Sequence, residues 1–284
     1  MKCDLGKHFL STSFTILSAC VISSSQSMAA DVNWLNPDSP LPAVSAPNAK
    51  LSGGGVFGSE QLGVIDGSIS LPLGFSTGLQ IDGLAGFGDD DGSYALGSHL
   101  FWRDPNAGLI GVYAGYTHSD LSSSNISHHA IGVEAQAYFD NFSLEGIVGY
   151  EGGDNVDSGI FGLASVAVYP NEDLRLFGGI RHINEETFGA IGFEYQFSGT
   201  LNDNAFSVFA EDRFSEGDNQ VWAGIRVYFG QPKSLMRRHR EDDPSNPSLD
   251  FLFASSLDSH GSGPPTPAPE PTPAPEPTPA PEPT

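Results

Sequence analysis

The sequence predicts an all-β fold, an antiparallel transmembrane β-barrel of about 12 strands. Three observations lead to this prediction: apolar and polar residues alternate in repeated segments, most of these segments have about 10–13 residues, and aromatic residues gather at the ends of the apolar rows. Soluble strands usually have about 5–6 residues, whereas a tilted strand needs about 9–11 residues to cross a bilayer. The segment length therefore favours strands that lie in a membrane.

Residues 1–30 are predicted to form a signal peptide. Lys2 and Lys7 give a positive start, Phe9–Ile22 is an apolar stretch too short for a membrane helix, and Ser27–Ala30 supplies small residues for cleavage. Lipoprotein processing at Cys20 is the alternative, and the sequence leaves this choice open. Both routes export the protein from the cytoplasm.

Residues 31–48, rich in Pro, Ser and Asn, are predicted to be an extended lead-in, and residues 49–230 are predicted to form the barrel. Within the barrel region, twelve segments alternate with the period of two that is typical of strands. In chain order these segments are Lys50–Phe57, Leu62–Leu73, Phe75–Phe87, Ser93–Trp102, Gly108–His118, His128–Phe139, Phe142–Glu151, Gly159–Val168, Leu174–His182, Thr187–Phe197, Ala205–Phe214 and Gln220–Phe229.

Ionisable residues inside these segments fall almost entirely on the less apolar row. In Gln220–Phe229, for example, Val221, Ile225 and Phe229 share one row and Arg226 lies on the other. Arg or Lys facing lipid at the bilayer midplane costs about 2–4 kcal/mol, so the charged row is expected to face the lumen. The predicted lumen or pore-lining residues are Asp66, Asp82, His99, Glu134, Glu145, Arg175, Arg181, Glu194, Glu211, Arg213 and Arg226.

The aromatic residues at the ends of the apolar rows predict the girdles that mark the two membrane interfaces. If the last strand runs towards the periplasm, the periplasmic girdle contains Trp102, Phe139, Phe142, Phe197, Phe206 and Phe229. The outer girdle then contains Phe87, Tyr94, Tyr116 and Tyr150.

In these features the chain resembles Gram-negative outer-membrane β-barrel proteins of the porin-like type. The resemblance covers Ala49–Phe229 and rests on the signal peptide, the amphipathic strands of about ten residues and the aromatic Phe229 at the end of the last strand. It implies a location in the outer membrane, in contact with outer-membrane lipid.

Residues 231–263 are predicted to be a polar periplasmic segment, and residues 264–284 a Pro-rich tail. The basic run Lys233–Arg240 either contacts anionic headgroups or keeps the C-terminal part out of lipid. The tail has 11 prolines in 21 residues and is expected to be an extended polyproline II segment. It resembles the linker of OmpA-type barrels, which implies a periplasmic tail with peptidoglycan or a periplasmic protein as its partner.

The net charge of −23 argues against nucleic acid as a partner. No cofactor, metal site or catalytic residue is expected, and the sequence does not predict an enzyme. The expected function is a narrow channel for small solutes that prefers cations, because the six predicted lumenal carboxylates outnumber the four arginines.

Two other functions remain open. The barrel would be a non-conducting structural anchor for the Pro-rich spacer if ion pairs fill a closed lumen. The minor alternative is a lipid hydrolase at the outer rim, because Thr117–Asp120 and Ser127–His129 place Ser and His on both sides of one outer loop. The sequence does not define the oligomeric state.

Overall fold

The computed structural model describes residues 40–58, 61–88, 92–120, 125–197, 204–216 and 218–261. The predicted signal peptide, residues 31–39 of the lead-in and the Pro-rich tail at 264–284 lie outside the described residues. The described chain contains twelve strands and two helices. The strands are β1 (Asn48–Gly58), β2 (Leu62–Pro72), β3 (Thr77–Phe87), β4 (Gly92–Asp104), β5 (Gly108–Asp120), β6 (Asn125–Phe139), β7 (Phe142–Asp154), β8 (Val156–Asn171), β9 (Leu174–Ile183), β10 (Glu186–Gln196), β11 (Ala205–Ser215) and β12 (Asp218–Phe229).

The strands form a closed barrel in which each strand pairs antiparallel with the next one, and β1 pairs with β12. The predicted fold class is therefore confirmed. The number of strands is even, so β1 begins and β12 ends at the same end of the barrel. We call this the terminal end, and we call the opposite end the distal end.

The seam between β1 and β12 runs from Ala49 opposite Phe229 to Gly58 opposite Gln220. Near its middle, Gly54 lies opposite Gly224. A Cβ atom on Gly54 would come within 2.2 Å of the Ala223 carbonyl oxygen, and one on Gly224 within 2.3 Å of the Gly53 carbonyl oxygen. The close approach of the two strands thus requires glycine at both positions.

Side chains alternate between the lumen and the outer surface along the strands. In β12, Ile225 is 60% exposed on the outside, whereas the side chain of the next residue, Arg226, is only 14% exposed. The outward rows carry large apolar side chains around the barrel. Asp212 is an exception, because it shares the outward row of β11 with Val208 and Phe214.

Two helices follow β12, α1 (Leu235–Glu241) and α2 (Ser248–Gly261). Among the described residues, no helix is long and apolar enough to cross a membrane. Residues Lys233–Ala254, which we call the lumenal segment, pack against the inward rows of the strands.

Within the polar segment predicted at residues 231–263, the structure has two helices, and Lys233–Ala254 pack inside the barrel. The charged residues of this part made it look like a surface segment, but the barrel wall is itself charged and provides their partners. In a barrel of twelve tilted strands, the backbones of opposite strands lie about 24 Å apart. The side chains of two facing sheets fill only about 10 Å between their backbones. The lumen therefore has space for one helix of about 10–12 Å diameter.

Residues 40–47 cover part of the terminal end. The Ala43 amide donates a 2.7 Å hydrogen bond to the Phe75 carbonyl, and the Arg103 guanidinium donates one of 3.1 Å to the Ala43 carbonyl. Val44 is buried with Phe101 and Leu109. The end of the predicted lead-in is thus packed against the barrel.

Candidate functional site in the barrel lumen

The structure places all eleven residues of the predicted lumenal row on the inner side of the barrel. The four arginines of this row each have a carboxylate partner. Arg175 lies 3.2 Å from Glu145, and Arg226 lies 2.6 Å from Glu194. Arg181 and Arg213 both bind the lumenal segment. In this conformation the four arginines are paired with carboxylates of the wall or of the lumenal segment rather than left facing an open channel.

Helix α1 is attached to the turns of the terminal end. The Met236 amide donates to the Glu172 carbonyl at 2.9 Å, and the Leu235 amide donates to the Asp173 carboxylate at 3.2 Å. The Arg240 guanidinium reaches the turn between β6 and β7, where it donates to the Phe139 carbonyl at 2.6 Å. Leu235 is fully buried beside the start of β11 and the end of β12.

A second group of charges connects the lumenal segment to β1 and to residues 40–47. Lys50 pairs with Asp243, and Lys233 lies 2.7 Å from Asp242. The Ser45 hydroxyl also donates to Asp242 at 2.7 Å. Burial raises the pKa of Asp242, and the positive charge of Lys233 offsets part of that rise. Both sides of the chain that flank the barrel therefore meet at the terminal end.

His239 of α1 lies between two tyrosine hydroxyl groups. Its Nδ1 is 3.0 Å from the Tyr169 hydroxyl, and its Nε2 is 3.2 Å from the Tyr228 hydroxyl. Tyr228 donates its own proton to Glu194 at 2.8 Å, so Nε2–H of His239 donates to Tyr228 and Tyr169 donates to Nδ1. Burial, together with the positive charge of Arg175, lowers the pKa of His239 well below its ordinary value. His239 is therefore a neutral imidazole.

Asp250 of α2 lies between Arg213, at 2.9 Å, and Arg181, at 3.2 Å. The two guanidinium groups offset the cost of burying the Asp250 carboxylate. An ionised carboxylate thus links α2 to β9 and β11. The partners are buried, so the loss of one would leave an uncompensated charge.

The apolar side of α2 packs against aromatic residues of the barrel wall. Phe251 stacks on Tyr113 with 6.0 Å between ring centroids and meets Phe161 edge-on at 5.3 Å. Phe253 meets Phe188 edge-on at 4.8 Å. Such pairs contribute about 0.5–1.5 kcal/mol each beyond the area that they bury. Ion pairs and aromatic contacts together fix the position of α2.

His99 lies between two carboxylates on the wall beside the segment. Its Nε2 is 2.9 Å from Asp82 and its Nδ1 is 2.8 Å from Glu134, and all three side chains are buried. The neighbouring Gln80 donates to Asp82 and to the Pro244 carbonyl of the lumenal segment. This cluster therefore also contacts the segment, through Gln80.

A polar cavity of about 130 Å³ remains between the lumenal segment and the strands β1–β3 and β7–β12. Its wall includes Arg175, Arg226, Glu145 and Glu211, and His239 reaches it from α1. A space of this size and polarity accommodates several water molecules. It is a part of the predicted lumen that the described residues of the segment leave unfilled.

A separate polar network lies on the outer surface at the distal end. The Ser127 hydroxyl of β6 is 3.0 Å from Nδ1 of His118, and Nε2 of His118 is 3.1 Å from the Asp120 carboxylate. The Tyr116 hydroxyl donates to Ser127 at 3.4 Å. The two sequence stretches that suggested an outer-rim hydrolase are thus brought together.

The ten aromatic residues of the predicted girdles all lie on outward rows. Six are at the terminal end and four are at or near the distal end, as the strand register requires. Phe139 and Phe142 stack across one turn with ring centroids 4.4 Å apart. Their contact with lipid stays a prediction.

Several lumenal residues were missed by the sequence interpretation. Arg103 is 1% exposed but lies one residue beyond the predicted end of its strand. Lys50 and Glu151 both follow the polar row of their strands, so the alternation could have identified them. The apolar stretch Leu249–Leu257 was the one sequence signal of a packed helix in the predicted polar segment.

No family model matches the chain, and no curated protein matches it. Among solved structures, the KdgM porin is similar over 64% of this chain and 99% of that chain, with 9% identity and a TM-score of 0.48. An outer membrane channel from Pseudomonas putida F1 is similar over 68% and 99%, with 8% identity and a TM-score of 0.49. Outer membrane phospholipase A from Escherichia coli is similar over 70% and 94%, with 13% identity and a TM-score of 0.43. Similarity at this level does not carry a function from one barrel to another.

Proposed function

We propose that this protein is an outer-membrane β-barrel whose lumen is a channel for small solutes, closed by its own lumenal segment. Support comes first from the outer surface, where large apolar residues such as Ile65, Ile131 and Ile160 are more than half exposed. A soluble protein rarely exposes such a continuous apolar surface, whereas lipid-facing strands require it.

The main support for a channel is the polar, charged surface of the barrel wall behind the lumenal segment. A wall with Arg175, Arg213, Glu194 and Glu211 is polar enough to hold water once the segment is absent. The segment is attached to this wall by ion pairs, and its own backbone is continuous with β12. The same residues therefore close the lumen in one state and line a water-filled path in the other.

Preference for cations remains part of the proposal, in a weaker form. The wall carries one further carboxylate, Glu151, and two further cations, Lys50 and Arg103, beyond those in the predicted row. The excess of lumenal carboxylates over cations thus falls from two to one. The reversal potential in a salt gradient measures this preference in the open barrel, and a value on the anion side would contradict it.

The test compares the full chain with a chain that ends after Phe229, each in planar bilayers. The full chain should show little conductance, and the shortened barrel should show steps that increase with salt concentration. Heat-modifiable gel mobility shows that both proteins are folded. A folded shortened barrel without conductance would favour the alternative, a non-conducting structural anchor.

A second candidate function rests on the outer network of Ser127, His118 and Asp120. His118 accepts the Ser127 proton at Nδ1, and Asp120 orients the ring through Nε2–H. Ser127 Oγ would then attack the carbonyl carbon of an ester, and His118 would return the proton to the alcohol as its C–O bond breaks. Water would release the acyl group by the same route in reverse. The outward position next to the apolar rows suits an amphiphilic ester.

A fluorophosphonate probe and a p-nitrophenyl acyl ester test this second candidate on the folded protein. Labelling and hydrolysis should disappear in Ser127→Ala and His118→Ala. Ser119→Ala is the matched control, because Ser119 lies next to His118 on β5 but points inward to Ser93. Equal activity in Ser127→Ala and the parent protein would contradict a hydrolase function for this network.

A further inference from the structure

We propose that the lumenal segment carries the chain through the barrel, so that the Pro-rich tail is displayed on the side of the membrane opposite the N-terminal segment, at the outer face. This inference rests on the proposed membrane-spanning barrel. It differs from the sequence expectation, which placed the tail in the periplasm.

The lumenal segment begins at the terminal end of the barrel. Leu235 and Met236 contact Asp173 and Glu172, which form the turn between β8 and β9 at the terminal end. Residues 40–47 lie at this same end, since Ala43 binds Phe75 in the turn between β2 and β3. The chain therefore enters the lumen at the end where its N-terminal segment also lies.

Asp250 lies well inside the barrel, far from the terminal end. Its partners Arg181 and Arg213 lie seven residues beyond the start of β9 and eight beyond the start of β11, counted from the terminal end. A strand rises about 3.3 Å per residue, so Asp250 lies about 25 Å further along these strands. The segment thus progresses along the lumen and does not turn back towards β12.

The last described side chains of α2 lie near the distal end of the barrel. Phe253 meets Phe188, which lies two residues from the distal start of β10. Ala254 is buried in the same cluster as Ile183, the distal end of β9. Leu252 approaches Gly86, one residue before the distal end of β3. The neighbouring strands β9 and β10 on one side of the barrel and β3 on the opposite side therefore place this part of α2 at the distal end.

Beyond Ala254, the chain continues in the direction of the α2 axis. Helix α2 continues to Gly261, and seven further helical residues extend about 10 Å at a rise of 1.5 Å per residue. A helix that has risen through the lumen continues along its axis, out of the distal end. The sequence that follows, 264–284, has three Glu, no Lys or Arg and 11 prolines. The part of the chain that would be displayed is therefore acidic and rich in proline.

The orientation of the barrel follows from the export route. An exported chain reaches the outer membrane from the periplasm, and the N-terminal segment of the barrel lies at the terminal end with the end of β12. With this end in the periplasm, the distal end and the tail face the exterior. Peptidoglycan is then excluded as the partner of the tail, and a partner outside the cell takes its place.

Four single-cysteine variants of the full chain test the proposal with a membrane-impermeant biotin maleimide. Asn106→Cys marks the turn between β4 and β5 at the terminal end, and Ser158→Cys marks the distal end. Pro40→Cys and Thr272→Cys report on the N-terminal segment and the tail. Each is labelled in intact cells and again after the outer membrane is permeabilised, with the parent chain as the baseline.

Thr272→Cys should be labelled in intact cells to the same extent as Ser158→Cys. Pro40→Cys and Asn106→Cys should be labelled at least tenfold more strongly after permeabilisation. If Thr272→Cys follows Asn106→Cys instead, the tail has not passed through the barrel and the inference is wrong. If the two pairs separate with the opposite order of access, the display at the outer face is wrong.

The failure of the proposed function gives a different result. If Asn106→Cys and Ser158→Cys are labelled equally in intact and permeabilised cells, the barrel does not span the membrane. A further variant, Phe251→Glu with Phe253→Glu, removes the aromatic contacts of α2 at the distal end while keeping the barrel strands unchanged. In this background the labelling of Thr272→Cys in intact cells should fall severalfold, whereas Ser158→Cys should be unaffected. Unchanged labelling at Thr272 would contradict the passage along the described path.

Discussion

Arg213 of β11 donates a 2.9 Å hydrogen bond to Asp250 of α2, and this contact joins the wall of the barrel to the segment that fills it. The two residues are 37 positions apart in the chain and both are buried. On the wall alone, Arg213 would be an ordinary lumenal charge of a channel. With Asp250 opposite, it is an attachment point of the lumenal segment.

We expect Asp250→Asn to weaken the attachment of the lumenal segment. The amide keeps the shape of the side chain but removes the charge that Arg181 and Arg213 share, and breaking a buried pair costs about 3–5 kcal/mol. The full-length variant should therefore show a larger conductance than the parent barrel in planar bilayers. Asp157→Asn, an exposed residue at the distal end, is the control. A variant as silent as the parent would show that this contact does not hold the segment in place.

We expect a cysteine pair at Gly86 and Leu252 to form a cross-link in native outer membranes. A Cβ atom at Gly86 lies 4.0 Å from the Leu252 side chain, so an oxidant or a short bismaleimide should join the two. The cross-link would shift the gel mobility of the unfolded protein. The pair Gly86 and Leu235 is the control, because Leu235 lies at the terminal end. Equal cross-linking of both pairs would rule out the described position of α2.

We expect the closed state to weaken as the pH falls below about 6.5, because of His239. The pKa of this residue is lowered by burial in the folded protein, so the released segment binds more protons at acid pH than the docked segment. Its contribution is complete above the ordinary pKa and is lost at up to about 1.4 kcal/mol per pH unit below it. Conductance of the full chain should rise between pH 7 and pH 5.

The variant His239→Gln separates this effect from other groups. Glu194 lies 3.8 Å from the ring, and Asp243 and Lys50 are also near it. Asp242 has a raised pKa and therefore acts in the opposite direction, towards a more stable docked state at low pH. The pH dependence of His239→Gln should be flatter than that of the parent. The same slope in both proteins would assign the effect to another group.

We expect Arg226→Cys to be reached from water and Ile225→Cys from lipid. Ile225 is 60% exposed on the outer surface, and Arg226 points to Glu194 in the lumen. In a barrel that ends after Phe229, a water-soluble thiol reagent should label position 226, and a lipid-soluble reagent should label position 225. Preferential labelling of position 225 by the water-soluble reagent would contradict the register of β12.

We expect removal of residues 264–284 to leave the barrel intact. This segment contains no apolar residue larger than Ala or Pro, so it cannot add much buried area. The shortened chain should keep its heat-modifiable gel mobility and the cross-link between positions 86 and 252. Loss of the folded band would show that the tail takes part in barrel formation.

The barrel wall could be predicted from the sequence because strand alternation is a local property. The rows around Arg226, Glu145 and Asp82 follow directly from the neighbours of each residue along the chain. Strand ends were less certain, and Arg103 was missed because β4 extends two residues beyond the predicted Trp102. The first strand, rich in glycine, was nevertheless present, since its pairing partners supply the order that its own side chains do not.

The contents of the lumen could not be predicted in the same way. A charged segment such as Lys233–Asp243 looks exposed when it is judged by its own hydropathy. Here Lys233, Asp242 and Asp243 are buried because residues distant in sequence complement them. The same holds for His118 and Ser127, whose proximity depends on the register between β5 and β6. The first result comes from pairing between distant parts of the chain and the second from the register of one hairpin, and alternation along a single strand defines neither.

The seam of β1 and β12 gives the position of the lumenal segment a consequence for biogenesis. The segment is synthesised after β12, yet it lies inside the ring that β12 closes. Threading the chain that follows β12 through a finished ring would require the residues after Gly261 to enter first and α2 to follow past a charged wall. Wrapping avoids this, because an open sheet can curl around a helix that already lies across it. We therefore expect the seam, with Gly54 against Gly224, to form last, and a chain without the lumenal segment to follow a different order of assembly.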